Sequence, residues 1–159
     1  MIALYIGIIA LAVGLDQLFK YLVVVNVKPQ GSVGFIPYIL DLTYSENRGV
    51  AFGLFQDATW LFAVITSVVI VIFLVLLIRT YKRSVLFSVS CALIIGGGIG
   101  NLIDRIRLGY VVDFLQLSFF RPVCNFADYC ITFGTVLLII YLLFFYKSKK
   151  DVSIQDENT

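Results

Sequence analysis

Four long apolar stretches constrain the fold of this 159-residue chain more than any other feature. They lie at about 1–25, 59–78, 84–103 and 127–146. A helix needs roughly 20 apolar residues to cross a hydrocarbon core about 30 Å thick, and each stretch has about that length. Of all residues, 60% are hydrophobic and only 14% are charged, which argues against a water-soluble fold. We therefore predict one integral membrane domain over 1–159 with four transmembrane helices.

The orientation of these helices depends on their number and on the charges beside them. We predict that the first stretch is a retained helix, because no basic residue precedes it and no small-x-small cleavage site closely follows it. An even number of crossings puts both termini on one side and the surface segments 26–58 and 104–126 on the other. Basic residues divide six against six between the two sides. Their closer clustering in the 79–83 loop and the C-terminal tail favours cytoplasmic termini.

The first surface segment has the composition of turns and extended chain, with two prolines and four glycines between residues 26 and 58. The alternation over 39–44 predicts a strand that carries Leu40, Leu42 and Tyr44 on one face. A second extended segment, 110–120, is predicted to pair with it, and 50–58 is predicted to form a short interfacial helix. The expected fold is an all-α membrane protein with four transmembrane helices, a small β-rich surface segment and this interfacial helix.

Composition excludes several kinds of catalytic site. The chain has no histidine, which removes Ser-His-Asp, Cys-His and histidine-bound zinc chemistry. Its cysteines, Cys91, Cys124 and Cys130, form no Cys-x-x-Cys pair and are odd in number, so packing is their expected role. Carboxylates or a lysine must therefore carry any reaction. A Ser-Lys pair through Lys20 stays open, although no serine has an evident claim to it, and no metal or cofactor is expected.

Polar residues in the first and third apolar stretches form two clusters. Asp16 and Lys20 lie four residues apart, which puts them on one helix face and predicts an ion pair. Asn101, Asp104 and Arg105 lie on one side of the outer end of the third helix. This second cluster is either a helix-end network of salt bridges and hydrogen bonds or a support for a nearby catalytic group. Spacing alone does not separate the two.

A run of glycines precedes the second cluster. It lacks the Lys-Ser/Thr pair that follows the glycines of a phosphate-binding loop, and it lies inside an apolar stretch. Gly96 and Gly100 are four residues apart, a spacing that lets two membrane helices approach closely. We therefore predict helix packing here and no nucleotide site.

Two aspartates in apolar surroundings are the strongest candidates for chemistry. Asp113 lies in the run 110–115 and has no basic residue nearer in sequence than Arg107, while Asp128 begins the fourth stretch. Two carboxylates brought together in a low-dielectric site share a proton, so one can activate water while the other protonates a carbonyl oxygen. This is aspartic-protease chemistry. Asp128 by itself is also explained as the third-position acid of a helix capped by Asn125.

A second function class fits the same composition. In a small four-helix transporter or assembly factor, six ionisable groups would line a path for an ion or a lipid headgroup: Asp16, Lys20, Asp104, Arg105, Asp113 and Asp128. Such a path distributes charges through the membrane thickness, whereas all six are predicted near one face. This placement favours an enzyme. No nucleic-acid partner is expected.

Five sequence blocks in order resemble bacterial lipoprotein signal peptidase, also called signal peptidase II. The resemblance runs from Asp16 to about Tyr146, and any one block alone would be weak. The blocks are Asp16-Gln17-x-x-Lys20, Asn47-Arg48-Gly49-Val50-Ala51-Phe52, Gly97-Gly98-Ile99-Gly100-Asn101-Leu102-Ile103-Asp104-Arg105, Val112-Asp113-Phe114 and Asn125-Phe126-Ala127-Asp128.

This resemblance implies a membrane aspartic endopeptidase that removes the signal peptide of prolipoproteins. It cleaves before a cysteine that carries diacylglycerol, using two aspartates and water without a metal, so the expected partners are these substrates and membrane lipid. Asp113 and Asp128 are then the catalytic pair, and Asp16 with its partner Lys20 is structural near the site. Substrate positioning or support of the pair is implied for Asn47, Gly49, Asn101, Asp104, Arg105 and Asn125.

The resemblance also implies a location and contains one departure. It places the chain in the bacterial cytoplasmic (inner) membrane, with cytoplasmic termini and the site near the outer face, so that the β-rich segment is periplasmic. The stretch 119–124 reads Phe-Phe-Arg-Pro-Val-Cys, where the family commonly has Trp or His and an aromatic residue before Asn125. This departure affects the loop between the two aspartates and therefore fine substrate preference.

Overall fold

The computed structural model describes residues 1–49 and 59–146. Four helices in this part of the chain are long and apolar enough to cross a membrane, as the sequence predicts. They are α1 (Ile2–Asn26), α2 (Thr59–Thr80), α3 (Val85–Leu108) and α4 (Phe126–Ile140), and a π-helical turn, Tyr141–Tyr146, continues α4. The predicted interfacial helix at 50–58 lies outside the described residues.

The third helix is the most enclosed of the four and packs against the other three. Its glycines make this packing close. A Cβ added at Gly96 would lie 2.7 Å from the Cβ of Ala12 on α1, and one at Gly100 would lie 2.6 Å from Asp16 Oδ2. Distances this short leave no room for a side chain, so the predicted packing role of Gly96 and Gly100 is confirmed.

Helix α3 continues beyond the end that the sequence predicts. The apolar stretch stops at 103, and a surface segment was expected from 104, but the helix runs to Leu108. It ends at Gly109, whose φ of 77° is the left-handed conformation that commonly terminates a helix. Asp104 and Arg105 therefore lie on the last turns of the helix, because a charged residue ends an apolar run without ending a helix.

A four-stranded antiparallel sheet forms the rest of the described chain. Its strands are β1 (Ser32–Ile36), β2 (Leu40–Asn47), β3 (Val111–Leu117) and β4 (Val123–Cys124), in that order across the sheet. The predicted strand around 39–44 and its pairing with 110–120 are confirmed, with Leu42 opposite Leu115. Leu42 and Tyr44 pack towards buried Val23 and Val112, which is why this face is apolar.

The sheet lies across one end of the helix bundle because of its connections. A short 3-10 turn, Lys28–Gln30, links α1 to β1, Gly109 leads α3 into β3, and β4 runs directly into α4. Strand β2 ends at Asn47, opposite Val111 at the start of β3. The end of α1 contacts the central strands β2 and β3, the end of α3 contacts β3, and α4 begins directly after the edge strand β4. The candidate functional side chains lie at this junction.

Candidate active site

Asp113 lies on β3 and is 2% exposed. Each of its carboxylate oxygens accepts a hydrogen bond from a side-chain amide. Asn125 donates to Oδ1 at 2.6 Å, and Asn47 at the end of β2 donates to Oδ2 at 2.9 Å. Both partners are neutral, so within the described part of the chain no positively charged group donates a hydrogen bond to Asp113.

Asp128 lies in the first turn of α4, across from Asp113. Its Oδ2 accepts from the backbone N–H of Asn125 at 3.1 Å, and Asn125 Oδ1 accepts from the backbone N–H of Asp128 at 3.0 Å. This is a capping box, so the capping interpretation of Asp128 is confirmed. The cap uses only Oδ2, and Oδ1 accepts from Asn101 Nδ2 at 2.8 Å. Asp113 and Asp128 are called the dyad below.

Lys20 determines the orientation of the side-chain amides of Asn101 and Asn125, which connect it to the dyad. Its Nζ donates to Asn101 Oδ1 at 3.0 Å, and an ammonium can only donate, so this end of the amide must be oxygen. Asn125 Nδ2 also donates to Asn101 Oδ1, at 3.0 Å, and again to the dyad. Both NH₂ groups consequently point at the dyad, which receives donors from each of them.

Lys20 also forms a buried ion cluster with Asp16 and Asp104, called the ion triad below. Its Nζ is 2.8 Å from Asp16 Oδ2 and 2.9 Å from Asp104 Oδ2, which confirms the predicted Asp16–Lys20 pair. All three side chains are at most 4% exposed. The backbone N–H of Ala127 donates to Asp16 and that of Val112 donates to Asp104, so the triad ties α1 and α3 to α4 and β3.

The three acceptors of Lys20 bear on the open Ser-Lys alternative. An ammonium has three donors, and those of Lys20 go to Asp16, Asp104 and Asn101. None of these acceptors is a serine. The lysine is thus committed to holding the site together.

Arg105 and Gly49 occupy more peripheral places. The guanidinium of Arg105 is half-buried and donates to the carbonyl oxygen of Asn101 at 3.5 Å, while it interacts electrostatically with both members of the dyad. The ion-pair partner of Asp104 is Lys20 on α1, so this acid pairs between helices. Gly49 N–H donates to Asn47 Oδ1 at 3.1 Å, which turns the NH₂ of Asn47 towards Asp113.

Gln17 is a site residue for which the sequence suggested no role. Its Nε2 lies 3.0 Å from Asp104 Oδ1, 3.2 Å from the carbonyl oxygen of Gly100 and 3.3 Å from Asp16 Oδ2. The Gln17 side chain therefore donates hydrogen bonds to both carboxylates of the ion triad. An amide next to Asp16 within an apolar helix was the signal that could have identified it.

Electrostatics distinguish Asp113 from an ordinary surface aspartate. Burial raises its pKa to about 6, the hydrogen bond from Asn47 partly opposes this rise, and the nearby charge of Asp128 adds to it. A carboxyl group with such a pKa exchanges its proton near neutral pH, as a general acid or base must.

The described structure also bears on the alternative of a transport path. The six ionisable groups that the sequence singled out lie in one connected cluster at the sheet end of the bundle. They form a single site and are not distributed along the helices. This arrangement is the one expected of an enzyme.

A cleft opens beside the dyad between β3, β4 and α4. It encloses about 210 Å³, and Asp128 is the one carboxylate among the described residues that line it. The other lining residues are mostly apolar: Leu115, Leu117, Phe120, Pro122, Cys124, Tyr129 and Thr132. An apolar cleft with one convergent acid is suited to a hydrophobic ligand whose reacting group lies at the dyad.

Comparison with known proteins agrees with this geometry. A profile of the family described as Signal peptidase (SPase) II matches residues 8–144. The lipoprotein signal peptidase of Enterococcus faecalis is 43% identical over 95% of this chain and 94% of its own length. That of Caldanaerobacter subterraneus is 46% identical, over 87% of this chain and 95% of its own. A solved structure described as a bacterial membrane enzyme has a TM-score of 0.79 at 30% identity, covering 91% of this chain and 96% of its own. The chain therefore belongs to the signal peptidase II family of membrane aspartic peptidases.

Proposed function

We propose that this multi-pass membrane peptidase removes signal peptides from prolipoproteins by cleaving before a diacylglyceryl-modified cysteine, with Asp113 and Asp128 as its catalytic dyad. The removal of prolipoprotein signal peptides follows from the family. The choice of these two aspartates rests on one observation: among the described residues they are the buried, linked carboxylates whose hydrogen bonds come only from neutral groups, and Asp128 lines an apolar cleft.

The chemistry needs a single proton on the dyad. In the first step, the ionised carboxylate takes a proton from water as the water oxygen bonds to the scissile carbonyl carbon, and the protonated carboxyl gives its proton to the carbonyl oxygen. In the second step, the tetrahedral intermediate returns one proton, the C–N bond breaks, and the amine of the modified cysteine leaves with a proton. The dyad ends with one proton, as it began.

Three asparagines hold the dyad in this state. Asn47, Asn101 and Asn125 donate to its oxygens at 2.6–2.9 Å and thereby fix both carboxylates before substrate binds. Amides donate hydrogen bonds without supplying a positive charge, so the pair keeps its need for a shared proton. The role of Arg105 is to stabilise, from half-buried surroundings, the net negative charge of the site.

The position and lining of the cleft favour a lipid-modified substrate. Its walls are largely apolar, and it adjoins α4, one of the helices that can cross the membrane. Acyl chains in the bilayer supply binding energy that positions the peptide bond at the dyad. We place the termini in the cytoplasm and the dyad at the outer face of the bacterial cytoplasmic membrane. The last turn of α2 carries Arg79, and the short loop that follows it carries Lys82 and Arg83.

Cleavage of paired substrates tests this function. Two synthetic peptides with the same sequence, one with a diacylglyceryl group on its cysteine and one with a free thiol, are incubated with the enzyme in mixed micelles. Mass spectrometry should find one cut, on the amino side of the modified cysteine, in the lipidated peptide only. Equal cleavage of both peptides, or full cleavage by the Asp113→Asn variant, would contradict the proposal.

A further inference from the structure

Asn47, which donates to Asp113, is the last residue of its strand. It pairs with Val111, the first residue of β3, where the pairing of the two strands ends. The end of a strand opens more easily than its centre, because fewer contacts hold it. The position of the Asn47 amide, 2.9 Å from Asp113 Oδ2, therefore depends on how the chain just beyond the strand is held.

Arg48, the next residue, is held at both its side chain and its main chain. Its Nη2 donates to Glu46 Oε2 at 3.2 Å, and its guanidinium carbon lies 5.6 Å from the centre of the Tyr110 ring. A guanidinium at this distance over an aromatic face is attracted by the electrons of the ring. The carbonyl oxygen of Arg48 accepts from Thr59 Oγ1 at 3.1 Å. The residue that follows Asn47 is thus fixed in two ways.

The groups that hold this arginine belong to separate parts of the fold. Glu46 lies on β2, where Tyr44 donates to its Oε1 at 2.9 Å, and Tyr110 lies between α3 and β3. Thr59 is the first residue of α2, and its hydroxyl also donates at 2.8 Å to the carbonyl oxygen of Gly109, directly after α3. The contacts of the arginine therefore join the end of β2 to the start of α2 and the end of α3.

These contacts are too exposed to contribute much to stability. The side chain of Arg48 is 58% exposed and that of Glu46 is 31% exposed, and ion pairs at such a surface add little to the free energy of unfolding. Their effect is on geometry. Asn47 lies between Glu46 and Arg48 in the chain, so the link between these two side chains spans it, while Gly49 N–H donates to Asn47 Oδ1 from the other side.

Given the proposed function of the dyad, we propose that Arg48 is a positioning residue that holds Asn47 where it donates to Asp113. Without the arginine side chain, the end of the strand is free to open and the hydrogen bond from Asn47 weakens. A carboxylate that is less firmly fixed reacts more slowly, because small displacements of reacting groups lower the rate. Substrate binding requires no contact with Arg48 in this scheme.

A double-variant comparison tests whether Arg48 acts through Asn47. Arg48→Ala should lower kcat for the diacylglyceryl peptide about three- to tenfold and leave KM within about twofold of the unaltered protein. In an Asn47→Ala background, the same substitution should leave kcat unchanged, because the side chain that it positions is gone. Arg48→Lys keeps a cation beside Glu46 and should recover part of the rate. The unfolding temperature of Arg48→Ala should stay close to that of the unaltered protein.

Lys82→Ala is the matched control. The ammonium of Lys82 lies 5.7 Å from the centre of the Tyr81 ring, a contact of the same kind between α2 and α3 at the opposite end of the bundle. This variant should have an unchanged kcat. An equal loss of kcat in Lys82→Ala would mean that any such contact affects the rate, and it would overturn a specific role for Arg48.

Variants of Tyr110 separate positioning from the charge of Arg48. The hydrogen bond with Tyr44 and burial raise the pKa of Tyr110 to about 12, so its ring is uncharged at neutral pH. Tyr110→Leu therefore removes the ring beneath the guanidinium without changing the charge near the dyad. Tyr110→Phe keeps the ring and should behave like the unaltered protein.

The protonation of Asp113 reports on the hydrogen bond itself. That hydrogen bond lowers the pKa of Asp113, so weakening it should raise the pKa and keep the carboxyl group protonated to higher pH. Arg48→Ala and Tyr110→Leu should both move the infrared band of the protonated carboxyl group in this direction, measured without substrate. Neither variant alters the charged groups of the described chain that act on this carboxyl group: Lys20, Arg105 and Asp128.

An equal fall in kcat in both backgrounds would overturn the proposal, because Arg48 would then act without Asn47. A several-fold rise in KM would overturn it by making Arg48 a substrate contact. An infrared shift in Arg48→Ala that is absent from Tyr110→Leu would assign the effect to charge instead of position. Failure of the unaltered protein to cleave the lipidated peptide would contradict the proposed function alone, and the infrared band would still decide whether Arg48 holds Asn47.

Discussion

The ion triad and the dyad are two carboxylate pairs at the same end of the bundle, and they differ in what lies between their carboxylates. In the triad, one ammonium lies 2.8 and 2.9 Å from the two carboxylate oxygens. In the dyad, the amides of Asn101 and Asn125 take that place, at 2.8 and 2.6 Å. At similar distances, the carboxylates of the triad thus contact a charged donor, whereas those of the dyad contact only neutral donors.

We infer from this difference that the two pairs have different roles. An ammonium between two carboxylates offsets part of their negative charge, so the triad is suited to joining helices. The amides bring no charge of their own to the dyad, and two adjacent carboxylates then favour binding a proton. The two pairs are linked, because the same Lys20 that forms ion pairs with both carboxylates of the triad also orients Asn101.

The largest expected effect separates the pairs by activity. Asp113→Asn or Asp128→Asn should lower the cleavage rate by at least about 10³-fold, because each removes a proton acceptor that the reaction needs. Asp16→Asn should instead lower the thermal stability and leave the cleavage rate of the folded fraction within about tenfold of the unaltered protein. Cleavage rates and unfolding temperatures measured on the same preparations distinguish loss of catalysis from loss of stability. If folded Asp16→Asn protein lost more cleavage activity than Asp113→Asn or Asp128→Asn, the assignment would be reversed.

The next effect concerns the stability that the ammonium provides. Lys20→Met leaves two buried carboxylates without their counter-charge and should lower the free energy of unfolding by about 3–5 kcal/mol. Lys28→Met is the matched control, because Lys28 is 46% exposed and its nitrogen lies 3.6 Å from Glu46. That variant should lose less than about 1 kcal/mol. Equal losses in unfolding experiments in micelles would show that burial does not distinguish the two lysines.

A smaller effect is expected from the helix packing that supports the triad. Gly100→Ala places a Cβ 2.6 Å from Asp16 Oδ2, a clash that should lower the free energy of unfolding by about 1–3 kcal/mol. Gly7→Ala on α1 has no atom within 4 Å of the added Cβ and should be neutral or slightly stabilising. Unfolding of the two variants in one detergent compares them. A neutral Gly100→Ala would mean that α1 and α3 can separate without loss.

The smallest effect concerns pH. The hydrogen bond from Asn47 favours the ionised form of Asp113 and so opposes the rise of its pKa to about 6 that burial causes. Asn47→Ala removes that donor, raises this pKa further and keeps the shared proton on the dyad to higher pH. The alkaline limb of the profile of kcat against pH should therefore move to higher pH, while Gln116→Ala, which alters an exposed hydrogen bond, should leave it unchanged. A limb that moves to lower pH in Asn47→Ala would contradict the account.

The sequence predicted those parts of the site whose signals are local. The ion pair of Asp16 with Lys20 follows from a four-residue spacing, the cap of α4 from Asn125 and Asp128, and the pairing of β2 with β3 from alternation. The contacts between distant residues were beyond the same reasoning. Lys20 reaches Asp104 across 84 positions, and Gln17 reaches Asp104 across 87, so only the packed helices reveal them.

The length of α3 shows why charge is a poor marker of a helix end in a membrane protein. The apolar criterion ended the third span at 103. Asp104 is nevertheless part of the helix, where it forms an ion pair with Lys20. Gly109 was the better signal, because its left-handed backbone terminates the helix regardless of polarity. A C-terminal glycine should outweigh the first charge when such ends are assigned.

Infrared spectroscopy of the carboxyl groups tests the central claim most directly, since it observes the shared proton itself. Difference spectra recorded across pH should contain a band of a protonated carboxyl group that disappears as the pH rises through about 6. We expect Asp113→Asn to abolish this band and Asp16→Asn to retain it. A band that survives in Asp113→Asn but vanishes in Asp16→Asn would place the proton in the ion triad and contradict the assignment of the dyad.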